Sequence, residues 1–217
     1  MAAQHTVKLT YFNLAARGFP IRVALRAAGV AFEDERIAGP ELAARRGGPG
    51  KFSDAIPLGQ LPVVTIDGRV FTESVQVARW AARQAPAGSP FLLYPSDAMA
   101  QLVCDEATAV LDEAWQKMPS VRSHPDPEAF KAARLAWAPD VAPRFFLHLE
   151  RRIRESGGPF VLGAQPCLAD LWIVSFMMQL KNYDHVDAAC VGAYPLLVAL
   201  DKALREHEVY ARFGEPN

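Results

Sequence analysis

The apolar positions of this chain change period near residue 85: short alternating runs interleave with helical ones before it, and helical spacing alone remains after it. Val7-Lys8-Leu9-Thr10-Tyr11-Phe12 alternates as a half-buried strand does. Asn13-Leu14-Ala15-Ala16 then leads into a helical pattern, Ile21, Val23, Ala24, Leu25 and Ala28, closed by Gly29. A second strand is expected over residues 31–37. Val63-Val64-Thr65-Ile66 and Val70-Phe71 flank Asp67-Gly68, a pair with type I′ turn chemistry, which predicts an antiparallel hairpin. Pro62 disfavours the α region for the residue before it, so Leu61 is expected extended, its backbone N–H and C=O presented outward as a docking edge. Glu73-Ser74 precedes Val75, Val77, Ala78, Trp80 and Ala81, predicting a helix capped by Ser74 whose N-terminal N–H groups suit a carboxylate. On spacing alone, the plainer reading of that stretch is a turn and a helix cap.

Strand, helix, strand, antiparallel hairpin and helix is the order of a thioredoxin-like βαβ-ββα unit, an α/β layer around a mixed four-stranded sheet. No Cys-x-x-Cys stands at the first helix, which excludes disulfide redox chemistry there. Gln84-Ala85-Pro86-Ala87-Gly88-Ser89-Pro90 reads as a linker, so the predicted domains are residues 1–85, a linker 86–92, and an all-helical domain 93–217. In the latter, Leu102, Val103, Ala107, Val110, Leu111, Ala114, Trp115 and Met118 recur at helical spacing over residues 98–121. Residues 130–153 follow the same rule after Pro125-Asp126-Pro127, with Pro139 and Pro143 expected to interrupt the helix because each removes a donor and crowds the preceding turn. Residues 167–180 are apolar on nearly every side, too short to span a bilayer, and predict a buried central helix.

Composition narrows the function more than it names it. With 23 Lys plus Arg against 24 Asp plus Glu, no basic excess exists to hold nucleic acid. No apolar run reaches the ~20 residues of a membrane span, and Met1-Ala2-Ala3-Gln4-His5 has neither the basic nor the apolar region of a signal peptide, so a cytoplasmic location is expected. Cys104, Cys167 and Cys190 are odd in number and scattered, as reduced thiols are, and the five histidines are equally dispersed; no metal site is expected.

Leu9-Thr10-Tyr11-Phe12-Asn13, Arg17, Ile21-Arg22, Gly59-Gln60-Leu61-Pro62, Glu73-Ser74, Pro159-Phe160-Val161-Leu162-Gly163 and Leu168-Ala169-Asp170 come in an order and separation that resemble the cytosolic glutathione transferases. The likeness is strongest to the sigma class, which includes the glutathione-dependent prostaglandin D synthases. It implies a thioredoxin-like glutathione-binding domain, an all-α C-terminal helical bundle, a homodimer, and a detoxifying transfer of glutathione to a small hydrophobic electrophile. Tyr11 matches the family's catalytic tyrosine, although in isolation it reads as an ordinary strand aromatic, and Arg17 matches the arginine that supports it.

The resemblance also assigns the ligand contacts. Leu61 pairs its backbone with the cysteinyl unit, Pro62 is the cis proline that exposes it, and Glu73 and Ser74 take the γ-glutamyl amine and carboxylate. Gln60 lies beside the glycyl end and Lys51 is the candidate for its carboxylate, across a glycine-rich flap, residues 45–50. Glu113 matches the carboxylate that reaches a partner subunit's ligand. The electrophile site is implied between Phe12, Leu14, Trp115 and Met118, the last two reading equally well as core. The family's buried cap, Ser or Thr followed three residues on by Asp, becomes Cys167-Leu168-Ala169-Asp170 here, with Asp170 structural. The pattern departs at Ala15, Ala16 and Phe19, where the family carries Arg, Gly and Glu. Two rivals therefore stand: a crystallin-like relative that binds glutathione with weak turnover, and a protein-interaction module indifferent to it.

Overall fold

The computed structural model describes residues 5–48, 51–120, 124–181 and 188–214. Residues 1–4, Pro49 and Gly50 of the predicted flap, Val121 and His185 lie outside these. The chain divides into two compact units, Met1–Leu93 with Arg212–Asn217, and Tyr94–Ala211.

In the first unit β1 (Val7–Phe12), α1 (Phe19–Ala27), β2 (Phe32–Ile37), α2 (Gly39–Arg45), β3 (Val63–Ile66), β4 (Arg69–Phe71) and α3 (Ser74–Ala82) follow in order. The sheet runs β2-β1-β3-β4, with β1 parallel to β2 and antiparallel to β3, and β3 antiparallel to β4. This is the thioredoxin-like unit expected of the sequence. Asp67 and Gly68 both hold positive φ, 50° and 80°, as a type I′ turn requires. Val7, Leu9 and Tyr11 are buried from one sheet face, while Phe12 joins Ile37, Leu42, Ile56, Val63 and Leu61 in a cluster on the other, beneath α2. Two features depart from expectation. The helix α2 lies where the sequence predicts no element and overlaps the predicted flap only at Arg45; Pro40 at its first turn starts it, and Arg45 anchors it to Glu35 of β2 at 2.8 and 3.0 Å. Ser74 does not cap α3: it is the first helical residue, and Glu73 stands at the cap in the left-handed region, φ 60° and ψ 83°, with no side-chain cap bond.

The second unit comprises α4 (Ala98–Lys117), α5 (Pro127–Asp140), α6 (Ala142–Ser156), α7 (Leu168–Lys181), α8 (Ala188–Gly192), α9 (Pro195–Glu206) and, across the division at its end, α10 (Glu208–Phe213). Asp97 and Asp126 cap α4 and α5, each accepting a backbone N–H three residues on. The helix α4 stops at Lys117, short of the predicted residue 121. The predicted 130–153 helix is divided at Val141 (φ −113°, ψ −44°), between the two prolines. Along α7 residues 168–178 are buried without a break, with α4 and α9 packed on it. Trp115, Trp137, Phe146, Phe176 and Tyr194 meet edge to face around it, at 5.0–6.3 Å between ring centres.

Asp170 resolves the altered cap. Fully buried, its carboxylate accepts the N–H of Cys167 at 2.7 Å and of Val161 at 2.9 Å, so it ties α7 to the preceding loop without a hydroxyl partner at position 167. Burial raises its pKa to about 6, against the opposing pull of those two N–H groups. Cys167, also buried, is pushed well above the ordinary thiol range by desolvation, with Cys104 and the Asp170 charge beside it, so it is inert as a nucleophile.

Candidate active site

Strand register gathers Tyr11, Pro62 and Glu73 at one end of the sheet. Thr10 pairs with Val63 and Val64 with Phe71. One residue beyond these pairs stand Tyr11 and Pro62, and two residues past Phe71 the chain reaches Glu73. Segments about 50 to 60 positions apart therefore meet because β1 and β3 are antiparallel neighbours and β4 returns beside β3. The Leu61–Pro62 peptide is cis, Pro62 is buried, Leu61 half-buried, and Gln60 exposed.

Tyr11 is 6 % exposed. Its ring lies against Phe12 at 5.5 Å, and the Arg22 guanidinium stands 5.8 Å from its centre. A Cβ on Gly18 would come within 2.5 Å of the Tyr11 ring, so only glycine fits there. Arg17, half-buried in a 3-10 turn, Ala16–Gly18, extends to Ser74 Oγ at 3.4 Å, and so joins the turn after β1 to the first residue of α3.

Lys51 is exposed and lies beside the loop that carries Gln60: its carbonyl would sit 2.7 Å from a Cβ on Gly59, whose φ is +64°. Arg46 braces this loop, donating to Gly59 O at 2.9 Å and Gly48 O at 3.2 Å. Sequence reasoning passed over Arg46 because nothing local distinguishes it from its neighbour Arg45. Phe12 is half-buried and Leu14 exposed in the first unit. In the second, Met118 is buried with its sulfur accepting from Arg134, and Trp115 is half-buried with its edge to Trp172 and Phe176. Glu113 is exposed on α4, 3.5 Å from Lys117 and 3.4 Å from Arg144. No group of His, Cys, Asp and Glu able to hold a metal occurs among the described residues. A separate hollow of about 320 Å³, walled by Phe71, Val77 and Trp80 with His5 and Asp67 among its lining, includes none of the predicted site residues.

Comparison with known proteins decides the family. The profile described as glutathione S-transferase, N-terminal domain, matches residues 7–83, and that described as glutathione S-transferase, C-terminal domain, matches residues 115–215. The chain belongs to the glutathione S-transferase family. Among curated relatives, human glutathione S-transferase A3 is 27 % identical over 96 % of this chain and 88 % of its own. A chicken hematopoietic prostaglandin D synthase is 35 % identical over 36 % of each. A glutathione transferase of C. elegans shares the fold, with TM-score 0.75 at 21 % identity over 98 % of this chain and 99 % of its own. This protein is accordingly a glutathione transferase, with glutathione its co-substrate, and no described helix is long and apolar enough to cross a membrane.

Proposed function

We propose that this transferase holds glutathione at the sheet end formed by Tyr11, Leu61-Pro62 and Glu73-Ser74, and that Tyr11 stabilises its thiolate for attack on a small apolar electrophile. The observation that carries the proposal is the convergence of these three segments through the strand register. A glutathione thiol near the ~8.5 of cysteine is mostly protonated at neutral pH, and the anion is the nucleophile. A phenol ionising near ~10 remains a donor there, so Tyr11 acts as an electrostatic partner of the sulfur rather than as a base. The extended backbone of Leu61 pairs with the cysteinyl unit, Gln60 and Lys51 face the glycyl end, and the first N–H groups of α3 receive the γ-glutamyl carboxylate with Ser74. Glu73 takes the amine, and its left-handed backbone is the kind of strained residue that sites retain. The Arg17 cation supports both anions through its position on Ser74.

Phe12, half-buried, and Leu14, exposed, serve the electrophile beside the end of β1. The active species is a homodimer, Glu113 reaching the ligand of the partner, and works in the cytoplasm; sedimentation of the purified protein checks the dimer. The sigma-class motifs and the chicken relative support prostaglandin isomerisation as a second activity of the same thiolate, read as prostaglandin D formed from the endoperoxide. The deciding experiment is the ultraviolet absorbance of bound glutathione thiolate across pH. A bound-thiol pKa below the free value in the native protein, raised again in Tyr11→Phe, is expected. An unshifted pKa in the native protein would overturn the mechanism in favour of the crystallin-like reading.

A further inference from the structure

Arg22 is a fully buried cation, at 0 % exposure, and the sequence reading gave it no part in the site. Its three nitrogens go in three directions. Nε donates to both carboxylate oxygens of Asp34 on β2, at 2.9 and 3.1 Å; Nη1 donates to Leu14 O at 2.9 Å; Nη2 donates to Phe12 O at 3.4 Å. The guanidinium also lies within cation–π range of the Tyr11 ring. Asp34 is shared: Arg36 donates to it at 2.9 and 2.7 Å and extends Nη1 to Asn13 Oδ1 at 3.0 Å. Burial raises the Asp34 carboxyl, but hydrogen bonds from Arg36 and Arg22 outweigh it and hold the pKa below the ordinary value, so the carboxylate stays ionised between two cations.

Each of the three residues that follow Tyr11 is thus tied to this Arg–Asp–Arg cluster, Phe12 and Leu14 through their carbonyls and Asn13 through its side chain. We infer that Arg22, braced by Asp34, is a positioning residue for Tyr11, fixing both the ring and the loop that leaves it. The inference rests on the Tyr11 mechanism proposed above. Gly18 agrees with it: a Cβ there would meet the Tyr11 ring at 2.5 Å and Arg22 Nη1 at 2.9 Å, so ring and guanidinium are packed against one another through a space only a hydrogen can occupy. Lysine cannot replace arginine here, because an ammonium has no planar fork to serve a carboxylate and two carbonyls at fixed angles.

A double-mutant cycle tests this, with Arg22→Lys and Tyr11→Phe made singly and together. Readouts are turnover with an activated aryl halide, chlorodinitrobenzene, the thiolate absorbance of bound glutathione at one fixed pH, and glutathione affinity. Arg22→Lys is expected to lower turnover and thiolate fraction by about tenfold to a hundredfold, the cost of a misplaced catalytic group, with glutathione affinity nearly unchanged. In the Tyr11→Phe background it is expected to cost almost nothing more. Losses that multiply, or a loss of affinity as large as the loss of turnover, would overturn the inference. Asp34→Asn, partly exposed and closer in shape, gives the same readout if Arg22→Lys fails to fold; full activity there would overturn it too. If Tyr11→Phe alone changes nothing, the Tyr11 mechanism itself fails and the positioning role with it, a result distinct from an inert Arg22→Lys beside a damaging Tyr11→Phe.

Discussion

At the scale of single residues, the site depends on atoms that are absent as much as on those present. Gly18 has no Cβ, and that is what lets the Tyr11 ring and Arg22 close on each other. Gly18→Ala is expected to cut turnover by about tenfold to a hundredfold, by displacing the ring, with a smaller loss of glutathione affinity, as steady-state kinetics will show. Gly59 poses a different case: a side chain would have to adopt φ +64° and also meet the Lys51 carbonyl at 2.7 Å. Backbone against backbone leaves nothing to yield, so Gly59→Ala is expected to weaken glutathione binding through the 51–62 loop, measurable by titration calorimetry. Tyr11 and Glu73-Ser74 were legible in the sequence as site candidates, whereas Arg22 carried part of the family likeness with no role attached to it. A buried arginine looks the same in a sequence as an exposed one, and only its partners on β2 and in the 12–14 loop distinguish it.

At the scale of elements, local signals predicted what local chemistry controls. The Asp67-Gly68 hairpin, the Gly29 helix stop and the break between Pro139 and Pro143 all follow from the conformations those residues favour. Contacts distant in sequence could not be read in this way. The first turn of α9 is closed by Glu150 of α6, 46 positions away, which accepts Leu196 N–H at 2.6 Å. The start of α3 is set at the left-handed Glu73, so Ser74, a good cap by type, is already the first helical residue and does not act as one. Asp170 ties the start of α7 to the preceding loop from a fully buried position. Asp170→Ala leaves two buried N–H groups unpaired and is expected to cost about 2–4 kcal/mol, read as a lowered urea midpoint. Cys167→Ser is expected to leave the tie in place, because it is the backbone of residue 167 that donates.

At the scale of the whole molecule, two carboxyls set opposing pH slopes. Asp170 has a folded pKa of about 6 against an ordinary 3.8, so the folded state retains a proton that the unfolded chain releases. Its contribution is greatest below pH ~4, declines as pH rises to ~6, and is level above. Glu35 is held at about 2, first by its hydrogen bonds from Arg45, against an ordinary 4.5. Its contribution is full above pH ~4.5 and is lost as pH falls toward ~2. Urea unfolding followed across pH is expected to show both limbs, Asp170→Asn removing the decline between pH ~4 and ~6 and Glu35→Gln flattening the loss below ~4.5. A decline between pH ~4 and ~6 that survives in Asp170→Asn would refute this assignment.

The sequence by itself determined the thioredoxin-like order of strands and helices, the helical nature of the second unit and the buried course of α7, because periodicity and turn chemistry act over a few residues. It also determined which side chains of catalytic type are present. Only the tertiary structure decided that Tyr11, Pro62 and Glu73 share one sheet end, since that depends on strand pairing across fifty positions or more. It alone showed that Arg22 rather than a surface group packs on the tyrosine, since burial and direction are properties of the packed molecule and leave no trace in local pattern.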